Sequence, residues 1–134
     1  MTGTAPQTAV LLIAHGSRRA EANADLVQLA EQVRGHGYPI VEVSYLELAE
    51  PTIPEGGARC LKDGVQRVLM MPYFLSPGVH VAHDLEEHRQ QLMAAHPGIG
   101  FELCAPLGLH PLLVDVVMAR LNEKQQETTV ATVS

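Results

Sequence analysis

Four apolar runs rich in β-branched residues alternate with polar stretches in helical spacing, and this alternation most strongly constrains the fold of the 134-residue chain. A turn signal separates each run from the polar stretch that follows it. Continuous apolar runs are typical of strands buried on both faces, whereas half-exposed strands alternate apolar with polar residues. The pattern therefore predicts the α/β class, with a four-stranded parallel sheet flanked by helices on both faces.

The predicted elements follow one another without a linker or an internal repeat. We expect strands over residues 8–14, 40–46, 67–74 and 101–105. We expect helices over residues 21–34, from residue 52, over 84–95, and from 110 to about 124. Residues 1–124 are thus predicted to form one domain. Residues 125–134 are polar and lack a cap, so they are predicted to be a mobile C-terminal tail.

Three local features carry further expectations. The Thr52 hydroxyl is expected to cap the second helix, but Gly56 and Gly57 each cost about 1 kcal/mol relative to alanine. That helix is therefore expected to be frayed, bent or late to start. Residues 75–83 are rich in turn formers and are expected to be an irregular loop. The last helix is expected to turn its apolar residues into the core, namely Leu112, Val116, Met118, Ala119 and Leu121.

The order of the strands follows from the handedness of their connections. Right-handed crossovers that cover both faces place the first strand inside, between the second and the third. The predicted order is 2-1-3-4. Ligands of such sheets bind at the carboxyl ends of the strands where the order reverses, here between the first and third strands. Because the outer strands would have exposed edges and the chain is short, we also expect a homodimer.

The composition excludes one class of partner. Hydrophobic residues make up 46% of the chain and charged residues 18%, as in packed globular proteins. The formal charge is -6 and the nine Lys and Arg residues are scattered, so a nucleic acid would find no basic surface and is excluded. An anionic substrate would need local groups such as Arg18, Arg19 or a helix N-terminus.

The cysteines and the apolar runs indicate the compartment. Cys60 and Cys104 have no Cys-x-x-Cys spacing, and residues 1–8 carry neither the basic nor the apolar part of a secretory signal. We therefore expect a cytoplasmic protein with reduced thiols. The longest apolar run, residues 68–75, is interrupted by Pro72 and falls far short of the ~20 residues of a membrane helix. No membrane contact is expected.

Two histidines lie just past the ends of the predicted strands that flank the crevice. His15 follows the first strand in a short turn with Gly16, and His80 follows the third strand. Imidazole groups that face one crevice are candidate bases or metal ligands. The alternative for His15 is a structural histidine that caps the following helix.

Other side chains near this crevice each have two interpretations. Glu47, after the second strand, could orient an imidazole, attract a metal or accept a proton, or it could be an exposed loop residue. His83 forms a His-x-x-His motif with His80 and is followed by Asp84, and imidazole and carboxylate groups together suit Co²⁺, Fe²⁺ or Ni²⁺. Residues 86–89 are better interpreted as a solvated polar helix face. Arg18 and Arg19 could pair with carboxylates of a ligand or face solvent.

Four segments of the chain are together similar to a known family. They are residues 11–18 (LLIAHGSR), 45–51 (YLELAEP), 72–81 (PYFLSPGVHV) and 106–112 (PLGLHPL). In this order they resemble the class II sirohydrochlorin chelatases of the CbiX and SirB type, over about residues 9–122. The ordered set is specific, although each motif alone would be weak.

The resemblance implies a fold and an activity. The fold would be a flavodoxin-like half of a chelatase fold, and small members of the family pair into homodimers. The activity would be insertion of a divalent metal into sirohydrochlorin, an octacarboxylate tetrapyrrole, in cobalamin or sirohaem biosynthesis. Without a histidine-rich segment, Co²⁺ or Fe²⁺ is favoured over Ni²⁺. The metal would be a substrate, and no redox cofactor or nucleotide is required.

The resemblance also implies roles for individual residues. His15 and His80 map onto the two active histidines as proton acceptors and transient metal ligands, and Glu47 maps onto an acidic residue of many members. His83 is a further expected metal contact. The expected substrate contacts are Ser17, Arg18, Arg19 and Gly78. The alternative function is a non-catalytic carrier that binds a tetrapyrrole or a metal in the same crevice.

Overall fold

Strands and helices alternate along the chain as the sequence predicts. The computed structural model describes residues 7–62 and 64–133, with side chains up to residue 127. The strands are β1 (Gln7–Ala14), β2 (Val41–Tyr45), β3 (Val65–Pro72) and β4 (Gly100–Leu103). The helices are α1 (Ala20–Arg34), α2 (Ile53–Arg59), α3 (Val79–Ala95) and α4 (Leu112–Val133).

The strands form one parallel sheet in the order β2-β1-β3-β4, which confirms the predicted order. At its carboxyl end β1 pairs with both neighbours: Ala14 is level with Tyr45 of β2, and Ile13 is level with Pro72 of β3. Because parallel strands end at the same edge, the residues that follow all three strands emerge together there. This edge of the sheet is where the predicted site residues lie.

The central strand β1 is buried on both faces, which explains its continuous apolar sequence. On one face Leu11 and Ile13 pack in a core cluster with apolar residues of α2, α3 and β4. On the other face Val10 and Leu12 pack with Leu26 and Ala30 of α1. Since alternate residues of a strand point to opposite faces, both faces of β1 require apolar side chains.

The second helix is regular and capped, so the expectation that it would be frayed, bent or late to start is wrong. The Thr52 hydroxyl accepts a hydrogen bond from the Glu55 N–H, and the Glu55 carboxylate accepts one from the Thr52 N–H. Gly56 and Gly57 are buried, and a Cβ on Gly57 would lie 2.6 Å from Cδ2 of Leu92. The two glycines let α2 pack closely on the sheet and on α3. This packing and the cap offset their low helix propensity.

The third helix begins earlier than predicted, which places two candidate histidines on it. The expected loop over 75–83 ends at Gly78, the N-cap of α3, and the helix starts at Val79. Residues 79–83 contain neither glycine nor proline, so nothing interrupts the helix once Pro77 and Gly78 have been passed. His80 and His83 therefore lie in the first two turns of α3 and not in a loop.

The last helix does not enter the core, contrary to the prediction. Leu112 is 64% exposed, Val116 53%, Met118 47% and Leu121 54%, and Ala119 is exposed as well. The cores on the two faces of the sheet are built by α1 and by α2 with α3, and neither core cluster includes a described side chain of α4. Burial of these side chains would require another surface.

The helix α4 is also longer than predicted. It continues through residues 125–133 to Val133, where the sequence analysis placed a tail, and Ser134 lies outside the described residues. Across the described part of the chain, no helix combines the length and apolar character needed to cross a membrane.

Candidate active site

His15 and Glu47 form the best-defined polar pair at the carboxyl edge of the sheet. Their side chains meet with Nε2 of His15 2.7 Å from Oε1 of Glu47. The backbone ladder continues beyond the strands, because the Leu46 N–H donates to the Ala14 carbonyl and the Glu47 N–H donates to the His15 carbonyl. The main chain therefore fixes the two residues side by side.

The contact selects a tautomer of the His15 imidazole. A carboxylate can only accept a hydrogen bond. In a neutral His15 the proton is therefore on Nε2, and this N–H donates a hydrogen bond to Glu47. The lone pair of Nδ1 is then the group that can accept a proton or bind a metal. Both side chains are about half exposed, at 52% and 55%, so small ions in solvent can reach the pair.

Gly16 makes this close approach possible. Its φ is +100°, a region that favours glycine, and a Cβ at this position would clash with the backbone carbonyl of Glu47. A larger residue would push the turn after β1 away from the end of β2. The His-Gly sequence is thus explained by the geometry of the pair.

Phe74 packs against His15 from the side of β3. The ring centroids are 6.3 Å apart and the planes meet at 88°, an edge-on arrangement. The Tyr73 N–H donates to the Ile13 carbonyl and the Leu107 N–H donates to the Phe74 carbonyl, which ties this aromatic segment to β1 and to the segment after β4. Phe74 was expected to end the third strand, and its contact with His15 was not predicted. The position of an aromatic residue at a strand end beside the crevice was the sequence feature that could have indicated this contact.

His80 and His83 lie at the same edge, at the start of α3. Both are exposed, and Nε2 of His83 is 3.4 Å from Oε1 of Glu87, one helical turn away. Among the described side chains, no group of three or more His, Cys, Asp or Glu residues is arranged to hold a metal ion. The structure therefore brings His15 together with Glu47, and it does not assemble His15, His80 and His83 into one ligand set.

The predicted substrate contacts lie in the segments next to His15 and His80. Arg18 and Arg19 are exposed in the turn after His15, and Gly78 is the exposed N-cap of α3. The Ser17 hydroxyl accepts a hydrogen bond from the Arg19 N–H at 3.0 Å, which shapes this turn. Both arginines are exposed and follow His15 closely in the chain, and guanidinium groups bind carboxylates through two hydrogen bonds.

The cysteines take no part in this site. Cys60 is fully buried, and its thiol donates to the Val10 carbonyl at a sulfur–oxygen distance of 3.7 Å. Burial raises the pKa of Cys60 to about 12, and burial also raises the pKa of Cys104. Both thiols are therefore protonated at neutral pH and are poor nucleophiles and metal ligands.

Comparison with known proteins identifies the family. The family model described as CbiX matches residues 9–124, which include every residue of the site. The chain belongs to the CbiX family. The match spans the four segments that suggested the resemblance, and it includes both the His15–Glu47 pair and the start of α3.

Named relatives and a solved structure agree with this membership. The chain is 39% identical over 113 residues to the chloroplastic sirohydrochlorin ferrochelatase of Arabidopsis thaliana, and the match covers 84% of the chain and 50% of the relative. It is 37% identical over 120 residues to the sirohydrochlorin cobaltochelatase of Priestia megaterium, covering 89% and 39%. The sirohydrochlorin chelatase SirB of Bacillus subtilis subspecies spizizenii, solved in complex with cobalt, superposes with a TM-score of 0.79. It is 30% identical, with 87% of the chain and 50% of SirB covered. The chain thus spans half or less of the length of these proteins.

Proposed function

We propose that this chain inserts Co²⁺ or Fe²⁺ into sirohydrochlorin, as a chelatase of the lyase class in cobalamin or sirohaem biosynthesis. The observation that carries the proposal is the His15–Glu47 pair, with 2.7 Å between Nε2 and Oε1, at the carboxyl edge of the sheet. The matched relatives are named for ferrochelatase and cobaltochelatase activity on sirohydrochlorin, and these names support the choice of substrate.

The proposed reaction requires proton acceptors. Insertion of a divalent ion removes the protons of two pyrrole N–H groups and strips water from the metal. In our proposal Nδ1 of His15 accepts one proton, and the Glu47 carboxylate stabilises the imidazolium that forms. His80, exposed at the same edge, accepts the second proton. No redox cofactor or nucleotide is required, because the oxidation state of the metal does not change.

The metal is a substrate in this proposal, and its ligands on the protein are transient. His15 and His80 would deliver the ion, and His83 would be an additional contact beside Glu87. A pair or triad of half-exposed ligands suits an ion that must leave, whereas a closed four-ligand cage would retain it. The exposure of His15 and Glu47 supports this interpretation.

Local groups would bind the carboxylates of the tetrapyrrole. The chain carries a formal charge of -6, so its overall field repels an octacarboxylate. Arg18 and Arg19 lie next to His15, and their guanidinium groups can each bind a carboxylate through two hydrogen bonds. The turn at Ser17 and the exposed backbone at Gly78 would complete the contacts.

We also propose that two copies of the chain associate through α4. The first three turns of α4 expose large apolar side chains on all sides, which a stable helix in water does not normally do. These side chains, with their neighbour before the helix, are Leu109, Leu112, Val114, Val116, Val117, Met118 and Leu121. A second copy of the chain would cover them.

The sheet beside α4 supports the same proposal. Helix α1 packs on one face of the sheet, over β1. On that same face, the β3 side chains of Leu69 and Met71 are only half-buried. An apolar cavity of about 420 Å³ separates Met71 from Leu112 and Val116 of α4. The chain covers 50% of the Arabidopsis relative and 50% of SirB, so a second copy would supply a comparable amount of protein.

The proposed compartment is the cytoplasm. The two cysteines are free, with Cys60 buried and Cys104 partly buried. Free thiols are typical of proteins in reducing compartments, which supports this location.

A direct assay tests the proposed activity. Sirohydrochlorin is mixed anaerobically with Co²⁺, Fe²⁺ or Ni²⁺, with and without the protein, and the visible spectrum is followed. We expect acceleration over the uncatalysed reaction with Co²⁺ or Fe²⁺. Binding of the tetrapyrrole without acceleration by any of the three metals would exclude the enzyme and leave the carrier.

A further inference from the structure

The side chain of Asn23, in the first turn of α1, holds the backbone of Ser17. Its Oδ1 accepts a hydrogen bond from the Ser17 N–H at 3.0 Å, and its Nδ2 donates to the Ser17 carbonyl at 2.7 Å. The side-chain amide of Asn23 thereby forms hydrogen bonds with both the N–H and the carbonyl of Ser17, as the backbone of a neighbouring strand would. The two bonds close the turn that begins at His15, and both Asn23 and Ser17 are half-buried.

The same asparagine is tied to the strand that leads to Glu47. Its backbone carbonyl accepts a hydrogen bond of 2.7 Å from the hydroxyl of Tyr45. Tyr45 is 3% exposed, it ends β2, and it lies two residues before Glu47. The turn after β1 is thus fixed on one side by Glu47 itself and on the other by Asn23 and Tyr45.

These contacts do not have the form of a helix cap. The N-cap of α1 is Arg19, whose side chain makes no capping bond. Asn23 bonds instead to a residue six positions earlier in the chain, outside the helix. Its amide therefore restrains the turn that carries His15.

We propose that Asn23 is a positioning residue that holds the His15 imidazole against Glu47. Only Gly16, at φ +100°, separates His15 from the clamped Ser17. Without the clamp, the N–H and carbonyl of Ser17 lose their partners and the turn gains conformational freedom. A displacement of about 1 Å in a catalytic group can cost about 100-fold in rate. The effect on turnover rests on the proposed chelatase function, whereas the effect on His15 geometry does not.

The test compares three variants with the wild type in two measurements. Asn23→Ala removes both bonds, and Asn23→Asp keeps an acceptor for the Ser17 N–H but loses the donor. Gln28→Ala, an exposed residue of the same helix, is the matched control. The first measurement is the ¹⁵N chemical shifts of the His15 ring, taken at alkaline pH without substrate or metal. These shifts report which ring nitrogen carries the proton. The second is the rate of Co²⁺ insertion into sirohydrochlorin.

We expect the wild type and Gln28→Ala to hold the proton on Nε2, where it is bonded to Glu47. Asn23→Ala should shift the ring toward a mixture of tautomers and lower turnover by about 10- to 100-fold, as loss of a group that orients a catalytic side chain typically does. The ring shifts and the turnover of Asn23→Asp should lie between those of the wild type and of Asn23→Ala. If Asn23→Ala does not fold, the test is made with Asn23→Asp. Wild-type ring shifts in a folded Asn23 variant would overturn the proposal. A wild type that does not insert metal would contradict the chelatase function alone, because the ring shifts still decide the role of Asn23.

Discussion

Two contacts join His15 to Glu47, one between their side chains and one between their backbones. The imidazole Nε2 lies 2.7 Å from the carboxylate Oε1, and the Glu47 N–H donates to the His15 carbonyl at 3.0 Å. The backbone contact sets the distance between the two residues, and the side-chain contact sets the tautomer. In a neutral imidazole the lone pair is therefore on Nδ1, the atom that accepts the proton in the proposed reaction.

Replacement of the carboxylate should weaken the base without removing it. In Glu47→Gln the amide has nearly the same shape but no charge, so the imidazolium formed after proton transfer loses its partner. We expect the rate of metal insertion to fall by about 10- to 100-fold, measured at saturating metal and tetrapyrrole. Glu50→Gln, an exposed carboxylate in the same segment, is the control and should retain the wild-type rate. An undiminished rate in Glu47→Gln would exclude a role for the charge.

His80 and His83, the first two histidines of α3, should differ in what they contribute. If His80 is the second proton acceptor, His80→Ala should lower the rate at saturating metal by at least about 100-fold. If His83 only contacts the incoming ion, His83→Ala should raise the metal concentration that gives half the maximal rate and leave the maximal rate unchanged. Rates measured across a series of Co²⁺ concentrations separate these effects. Equal behaviour of the two variants would refute the division of roles.

The glycines of α2 should resist replacement by alanine. Helix propensity alone predicts that Gly56→Ala stabilises the protein by about 1 kcal/mol. A Cβ there would lie 2.9 Å from Leu11, from Ser44 and from the Val43 carbonyl oxygen, which cannot all move aside. We expect a net loss of about 1–3 kcal/mol in the free energy of unfolding, measured with urea. Gly100→Ala, whose new Cβ would come no nearer than 3.8 Å to its closest neighbour, the Gln66 carbonyl oxygen, should not destabilise the protein. A stabilised Gly56→Ala would show that the close packing is not limiting.

The exposed apolar side chains of α4 should determine the oligomeric state. We expect sedimentation of the wild type as a dimer. Val117→Glu places a charge among the exposed apolar side chains and should yield a monomer. Asn122→Glu adds the same charge to a polar position of the same helix and should remain a dimer. A monomeric wild type, or a dimeric Val117→Glu, would show that a second copy does not cover this surface.

Most of the fold could be predicted, because its determinants are local or topological. The apolar run that includes Val10 and Leu12 indicated a strand buried on both faces, and the handedness of crossovers gave the order of the sheet. The effect of Gly57 on α2 was predicted wrongly, because a glycine is needed there for close packing against Leu92, which is distant in the sequence. The apolar residues of α4 were assigned to the core because the sequence does not reveal that other helices already cover it.

The site was only partly predictable for a related reason. Strand ends identified His15 and Glu47, since parallel strands bring their carboxyl ends to one edge. The roles of Asn23 and Phe74 could not be predicted, because their contacts depend on how the turns after β1 and β3 fold back. An asparagine in the first turn of a helix has no distinctive spacing that would indicate a bond to the preceding loop.

The central claim is that His15 accepts a proton during metal insertion. Its most direct test is the single-turnover rate of Co²⁺ insertion into sirohydrochlorin, measured for the wild type, His15→Ala and His36→Ala. His36 is an exposed histidine that follows α1 and has no part in the proposed site. If His15 is the proton acceptor, His15→Ala should be slower by about 100-fold or more, and His36→Ala should match the wild type. A His15→Ala variant that inserts cobalt as fast as the wild type would contradict the account.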